Sequence, residues 1–178
     1  MTLRTLPRTG EKRENKMKYR TLTGLMAAMI TLMTAYICHI PIGLNGGYLH
    51  FGDSLIYLAA ALLPTPYALA AAAIGGGLAD LLTAPLWLPA TIVIKLLIAL
   101  PFTCKSAKIM TPRNVAASVI ACIISCTGYF AAEYLIFGAS AAPIASLSGN
   151  LLQSGGSAVF FVILGLALDK TRIKTKLL

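Results

Sequence analysis

Long apolar runs, separated by short basic or turn-rich segments, most strongly limit what this chain can fold into. Six such runs are dominated by Ala, Leu, Ile, Val and Gly. They cover residues 21–40, 51–63, 67–84, 89–103, 115–137 and 147–168. An α-helix needs about 20 apolar residues to cross a hydrocarbon core of roughly 30 Å. We therefore predict an all-α integral membrane bundle of six transmembrane helices.

The basic residues support this count and give the bundle an orientation. Six spans place both termini on the same side, and 14 of the 15 Lys and Arg residues fall on that side. The positive-inside rule puts that side in the cytoplasm. We predict a basic cytoplasmic segment at 1–20, a transmembrane domain at 21–170 and a basic cytoplasmic tail at 171–178. Because the charges lie in clumps between apolar runs, the net charge of +9 does not indicate a nucleic-acid binder.

Polar side chains inside or beside the predicted spans are the candidate functional residues. Ionisable groups are costly in a membrane and usually mark a pathway or a binding site. All of these polar residues fall in the outer half of the predicted bilayer, whereas the inner halves of the spans are almost purely apolar. This asymmetry predicts a small polar cavity that opens outward. The candidates are His50, Asp53, Tyr57, Asp80, Trp87, Lys95, Glu133, Asn150 and Gln153.

Seven of the nine candidates also have a structural interpretation. Asp80 and Lys95 can form an ion pair between neighbouring spans instead of contacting a substrate. The other structural roles are capping or anchoring of a loop for His50, interfacial anchoring for Trp87 and Glu133, and hydrogen bonding between helices for Asn150 and Gln153.

The small residues Gly24, Ala27, Ala28 and Thr31 recur at helical spacing in the first span. Small residues let transmembrane helices approach closely. This face is interpreted either as ordinary packing within the bundle or as a docking surface for another membrane protein.

Motifs for catalysis and metal binding are missing from the sequence. There is no nucleophile elbow, no His-Glu-x-x-His and no Walker sequence. The four cysteines, Cys38, Cys104, Cys122 and Cys126, lack the spacing of a metal site. We expect no enzymatic activity, no cofactor and no metal.

Four stretches resemble the membrane-embedded substrate-binding S components of energy-coupling factor (ECF) transporters. They are YLHFGD at 48–53, the apolar run at 55–63, GGGLADLL at 75–82 and WLPATIVIK at 87–95. The resemblance covers the whole chain in topology and is most specific over residues 48–95.

The resemblance implies a function and a set of partners. S components are six-helix proteins of the prokaryotic plasma membrane that bind a vitamin near the extracellular side. They then associate with a transmembrane coupling protein and two cytosolic ATPases, and small residues on the first span dock on the coupling protein. Here the corresponding docking residues are Gly24, Ala27, Ala28 and Thr31.

The substrate depends on the chemistry of the pocket. Lys95 could meet a carboxylate or phosphate, which favours pantothenate, lipoate or a phosphorylated vitamin. Asp53, Asn150 and Gln153 could meet ring nitrogens, which favours a pyrimidine, a vitamin B6 form or a deazapurine such as a queuosine precursor. If Asp80 neutralises Lys95, the second group is favoured. We expect a small neutral heterocycle such as hydroxymethylpyrimidine or a vitamin B6 form.

Two other classes of function remain open at this stage. The chain could be a stand-alone proton-coupled secondary transporter that uses Asp53, Asp80 and Glu133 as proton carriers. It could also be an intramembrane enzyme or a structural subunit, and neither of these needs a tightly bound small molecule.

Overall fold

A computed structural model gives the fold of the protein over residues 9–37, 40–42, 47–138 and 143–177. Within this part of the chain the fold is almost entirely helical. Residues 1–8 of the predicted N-terminal segment and Cys38 lie outside the described residues. The elements in chain order are α1 (Thr9–Ala35), β1 (Ile40–Ile42), β2 (Gly47–Leu49), α2 (Gly52–Leu62), α3 (Thr65–Thr83), a 3-10 turn (Pro85–Trp87), α4 (Leu88–Ala99), α5 (Pro112–Phe137), α6 (Pro143–Thr171) and α7 (Ile173–Leu177).

The described helices fit a membrane bundle. By length and composition, α3, α5 and α6 can each cross a membrane, and two shorter apolar helices cover Gly52–Leu62 and Pro85–Ala99. Helix α1 starts at Thr9 and runs unbroken past residue 20. Part of the predicted polar N-terminal segment and the first apolar run therefore share one helix. The all-α membrane bundle is confirmed. The count of six spans and the cytoplasmic position of both termini remain predictions.

Helix α2 lies at the centre of the bundle. Every residue from Gly52 to Ala61 is buried, and the helix packs against α1, α3, α4 and α6. A helix that is apolar nearly all round belongs in an interior. Its 11 residues span about 16 Å, roughly half of a hydrocarbon core. The central helix is therefore too short to cross the core alone, and its position depends on its contacts with neighbouring elements.

Helices α1 and α3 pack with their backbones close together. A methyl group added at Gly75 would lie 2.7 Å from Ile30 Cβ and 2.8 Å from the carbonyl oxygen of Ala27. Thr31 uses this proximity, because its hydroxyl donates to the Gly75 carbonyl at 3.1 Å. The run of small residues in α3 thus serves close helix packing.

The segment between α1 and α2 contains a short hairpin, which the sequence analysis did not predict. Strands β1 and β2 are antiparallel, with Ile40 opposite Leu49 and Ile42 opposite Gly47. Residues 43–46, between the two strands in sequence, lie outside the described residues. Strands of three residues are too short to leave a period-two pattern in the sequence.

The opposite end of the bundle is tied by polar side chains. Asn114 and Asp169 both bind backbone groups of the connection at 100–111. Lys174, on α7, is buried and donates from Nζ to the carbonyl oxygen of Ala61 at 2.6 Å. Burial lowers the pKa of Lys174 below its ordinary value. The contact fixes the C-terminal end of α2.

The contact of α1 with α3 predicts opposite effects for one substitution at two glycines. Gly75→Ala should destabilise the protein by about 1–3 kcal/mol, because the new methyl group meets backbone and β-carbon atoms of α1. Gly155→Ala, in α6, should be neutral or mildly stabilising, because nothing lies within 4 Å of the added atom. Thermal unfolding in detergent measures both. Equal effects at the two positions would contradict the close packing.

Candidate functional site

A buried ion pair lies in the interior of the bundle. Lys95 Nζ is 2.5 Å from Asp53 Oδ1, and the two side chains are 1% and 0% exposed. Asp53 is in the first turn of α2, where the positive end of the helix dipole favours a carboxylate. Taking two charges out of water costs several kcal/mol per ion, which close pairing can offset. Each charge therefore depends on the other for its place in the interior.

A glycine of α3 makes room for the lysine. A methyl group at Gly76 would lie 2.8 Å from Lys95 Cγ. The aliphatic part of Lys95 therefore runs along the bare backbone of α3 before its ammonium reaches Asp53. The Gly75–Gly77 run thus shapes the site as well as the packing.

An aromatic ring covers the other side of the ammonium. The Lys95 ammonium lies 5.3 Å from the centre of the Tyr129 ring, within the range of a cation–π interaction. The hydroxyl of Tyr129 is 3.1 Å from Thr91 Oγ1. These contacts fix the ring of α5 against α4.

Three further candidates interact with the ion pair. His50 and Gln153 both interact with the Asp53 carboxylate. Asp80 attracts Lys95, but more weakly than Asp53 does. The counter-ion of Lys95 at hydrogen-bond distance is thus Asp53, whereas the sequence interpretation had weighed Asp80.

An aromatic cluster adjoins the ion pair. The Trp87 ring lies 6.1 Å from the ring of Tyr129 and 5.9 Å from that of Phe137. Trp87 is half-buried, so part of the residue is exposed. Edge-to-face and tilted rings leave flat surfaces on which another planar group can stack.

A second aromatic group lies one turn further along α2. Tyr57 stacks on Phe102 at 5.0 Å and meets Phe161 edge-on at 5.9 Å. Its ring is completely buried. Since Tyr57 follows Asp53 by four residues, both side chains share one face of α2.

Four buried hydroxyls near these groups make no hydrogen bond within the described part of the chain. They belong to Tyr57, Ser125, Ser154 and Ser157. Leaving a buried polar group unsatisfied costs about 1–3 kcal/mol. Such groups ordinarily bind an ordered water or a ligand.

The predicted site residues therefore fall into two groups. Six of them form or interact with the Lys95–Asp53 ion pair. Trp87 is linked to the ion pair through Tyr129, which contacts both Trp87 and the Lys95 ammonium. Glu133 is buried on α5, and Asn150 is half-buried on α6. The connected six are His50, Asp53, Tyr57, Asp80, Lys95 and Gln153.

Some residues of the site were missed by the sequence interpretation. Thr91, Phe137, Ser125 and Ser154 look like ordinary small or apolar residues of a span, and nothing in their spacing singles them out. Tyr129 and Ser157 do carry a signal in the sequence, because Tyr129 lies four residues before Glu133 and Ser157 four residues after Gln153, each on the face of a candidate.

The small-residue face of α1 splits into two sides. Ala27 is buried, and Thr31 donates hydrogen bonds to the carbonyls of Ala27 and Gly75. These two residues therefore serve the contact with α3. Gly24 and Ala28 are exposed on the other side of the helix, and nothing lies within 4 Å of an atom added at Gly24.

An open hollow of about 700 Å³ lies elsewhere on the surface, between Leu49 and α6. Its lining is mainly apolar and includes Leu151, Leu152 and Gly156. None of the predicted site residues lines it. The polar site is inside the bundle, so the hollow and the site are separate features.

The site has no arrangement typical of metal binding. In the described ranges, no three His, Cys, Asp or Glu residues lie close enough together to hold a metal ion. Cys104, Cys122 and Cys126 are free thiols.

Comparison with known proteins assigns the family. The family model for the S component of the ECF-type riboflavin transporter matches residues 14–170. The chain belongs to this family of ECF S components. It is also 29% identical over 140 residues to an uncharacterized protein of Pyrococcus woesei, described as lying in a gap 3′ region. The match covers 78% of this chain and 93% of the relative.

Membership makes the protein a membrane-embedded component of a vitamin transporter. The match extends over every helix from α1 to α6. It thus includes both the ion pair and the small-residue face of α1.

The ion pair of this S component can be tested by breaking it. Lys95→Met keeps the side-chain length but leaves the Asp53 carboxylate buried alone, which should cost about 3–5 kcal/mol of stability. The double variant Asp53→Asn with Lys95→Met should recover most of that loss, because no lone charge remains. Thermal unfolding without substrate gives the values.

The exposed Lys105 provides a matched control. Lys105→Met should change the unfolding temperature little. If Lys95→Met behaves like Lys105→Met, the buried pair does not hold the bundle together.

Proposed function

We propose that this S component captures a neutral, planar heteroaromatic vitamin from outside the cell. It passes the vitamin inward with an ATP-driven ECF module. The observation that carries the proposal is the buried pairing of Lys95 with Asp53. The site offers an incoming ligand hydrogen-bonding groups with little unbalanced charge.

The charge balance argues against an anionic vitamin. A carboxylate or phosphate that bound Lys95 would displace Asp53 and leave its carboxylate buried without a partner. Removing one partner of a buried pair typically costs about 3–5 kcal/mol. Pantothenate, lipoate and phosphorylated vitamins are therefore disfavoured.

The aromatic rings beside the pair favour a flat ligand. Trp87, Tyr129 and Phe137 present ring faces within one cluster. Stacked or edge-on ring contacts contribute about 0.5–1.5 kcal/mol beyond the burial of area. The amide of Gln153, close to Asp53, adds hydrogen-bonding groups suited to ring nitrogens and carbonyls.

Several vitamins combine these properties. Riboflavin, after which the family model is named, has a flat neutral ring system. Hydroxymethylpyrimidine, pyridoxine and a deazapurine share that character. Stand-alone proton-coupled transport is less favoured, since Asp53, one of its three proposed proton carriers, is paired with a lysine.

The partners follow from the same proposal. A transmembrane coupling protein and two cytosolic ATPases would supply the energy, and the exposed Gly24 and Ala28 of α1 are the docking residues. We no longer include Ala27 and Thr31 among the docking residues, because both contact α3. Small residues on an exposed helix face allow a partner helix to approach closely.

The proposed substrate class predicts which vitamins stabilise the purified protein. Riboflavin, pyridoxine and hydroxymethylpyrimidine should be compared with pantothenate, lipoate and pyridoxal phosphate in thermal unfolding. A ligand at 100 times its dissociation constant adds about 2.7 kcal/mol of stability. At least one neutral heterocycle should raise the unfolding temperature.

Trp87 provides a second measurement, because the chain has a single tryptophan and it lies in the aromatic cluster. Its fluorescence should be quenched when the ligand binds.

Stabilisation by anionic vitamins alone would overturn the proposed class. Uptake that follows the proton gradient in cells lacking the ATPases would instead support the secondary transporter.

The docking proposal predicts a separation of binding from transport. Gly24→Trp and Ala28→Trp should abolish copurification with the coupling protein and should stop uptake. Vitamin binding by the isolated S component should be unchanged. The control Val119→Trp places the same large side chain on α5, at a position that is 58% exposed. Loss of assembly in all three variants would show that any added bulk interferes.

A further inference from the structure

The ring of Tyr129, on α5, contacts three residues that are spaced four apart along the 3-10 turn and α4. It meets the Trp87 ring edge-on, with 6.1 Å between the ring centres. Its hydroxyl is 3.1 Å from Thr91 Oγ1, and the Lys95 ammonium lies over the ring at 5.3 Å from its centre. These contacts hold Tyr129 in one orientation, with a ring face toward Lys95.

Carboxylates lie beside the same ring. Asp53 meets the Lys95 ammonium at hydrogen-bond distance, and Asp80 attracts it more weakly. Both carboxylates also interact electrostatically with Tyr129, and both are buried. Aromatic faces recognise organic cations, and a carboxylate in surroundings of low dielectric attracts a cation strongly. The ring and the two carboxylates therefore have the chemistry of a site for an organic cation.

The chain fills this site with a cation of its own. Lys95 is the single Lys or Arg between Arg20 and Lys105, and its side chain is 1% exposed. Its stem passes the bare backbone at Gly76, where a methyl group would lie 2.8 Å from Lys95 Cγ. One residue thus supplies the positive charge that the ring and the carboxylates would otherwise attract from a ligand.

A resident cation limits which ligands can share the site. A positively charged ring would bind beside the Lys95 ammonium, and like charges repel strongly where water is excluded. It would also compete for the face of Tyr129 that Lys95 already covers. A neutral ring meets neither obstacle. Lys95 therefore does more than neutralise Asp53, because it also acts against ligands of its own charge.

We propose that Lys95 is a specificity-determining residue that excludes cationic heterocycles by occupying an organic-cation site formed by Tyr129, Asp53 and Asp80. This inference rests on the proposed function, and it names the residue that selects a neutral ring over a positively charged one. Replacing Lys95 by an uncharged side chain should convert the site into one that accepts cationic rings.

The test uses two flat molecules that differ by one charge. Nicotinamide has a neutral pyridine ring, and 1-methylnicotinamide has the same ring with an added methyl group and a permanent positive charge. Thiamine, whose thiazolium ring is also permanently charged, serves as a larger cationic vitamin. Binding is measured by calorimetry and by thermal unfolding on the full chain in an uncharged detergent.

Lys95→Met should gain affinity for both cations. It should bind 1-methylnicotinamide roughly tenfold or more tightly than nicotinamide, as expected for a desolvated cation over an aromatic face. Both cations should also raise its unfolding temperature, because a bound charge replaces the lost partner of Asp53. The unchanged protein should bind neither cation.

The loss of stability in Lys95→Met gives a second measurement. If the variant does not stay folded alone, it is purified in parallel with nicotinamide and with 1-methylnicotinamide. Recovery of folded protein with the cation alone would support the cation site. Recovery with neither molecule would overturn it.

The double variant Asp53→Asn with Lys95→Met is the matched control. It carries the same methionine but lacks the carboxylate that pairs with Lys95, so its gain in cation affinity should be much smaller. Lys105→Met removes an exposed lysine and should leave every affinity unchanged. If the double variant gains as much as Lys95→Met, Asp53 does not form the cation site and the inference is wrong.

Failure of this inference and failure of the proposed function give different results. If the unchanged protein binds a neutral vitamin but Lys95→Met gains no affinity for either cation, Lys95 is only a structural partner of Asp53 and the proposed function stands. If the unchanged protein already binds thiamine, Lys95 excludes nothing. If the unchanged protein binds no neutral vitamin, the proposed function fails, and the role of Lys95 in selecting a substrate fails with it.

Discussion

The pairing of Asp53 with Lys95 is the interaction on which the rest of the interior depends. A lone carboxylate or ammonium at either position would be expensive, because nothing in a hydrocarbon environment replaces lost water. The bare backbone at Gly76 gives the lysine its path, and Tyr129 covers its charged end. The pair thereby draws α2, α3, α4 and α5 together and sets the polarity of the space beside it.

A short central helix explains why the site is polar at one end and apolar at the other. Helix α2 begins with a carboxylate and continues with Leu, Ile and Ala, so its charge lies entirely in its first turn. Tyr57 lies one turn after that charge on α2, and Trp87 contacts Tyr129, whose ring covers the Lys95 ammonium. The proposed flat, neutral substrate matches a site with one paired charge and several aromatic rings.

Composition and charge placement were enough to predict a membrane bundle and to select most polar residues of the site. Periodicity could not show that Lys95 meets Asp53, because the two lie 42 positions apart and their contact depends on which helices become neighbours. It also missed the continuity of α1, since a polar stretch looks like a separate segment. Ser125 and Ser154 were missed because what distinguishes them is a buried hydroxyl without a hydrogen-bond partner in the described part of the chain. Only the three-dimensional structure shows this property.

Two lysines from different parts of the chain contact the two ends of α2. Lys95 holds its first turn through Asp53, and Lys174 holds its last turn through the Ala61 carbonyl. Helix α2 therefore cannot shift along its axis without breaking one of these two contacts. A displacement of Asp53 along the helix axis would therefore also disturb the contact at Lys174, at the other end of α2.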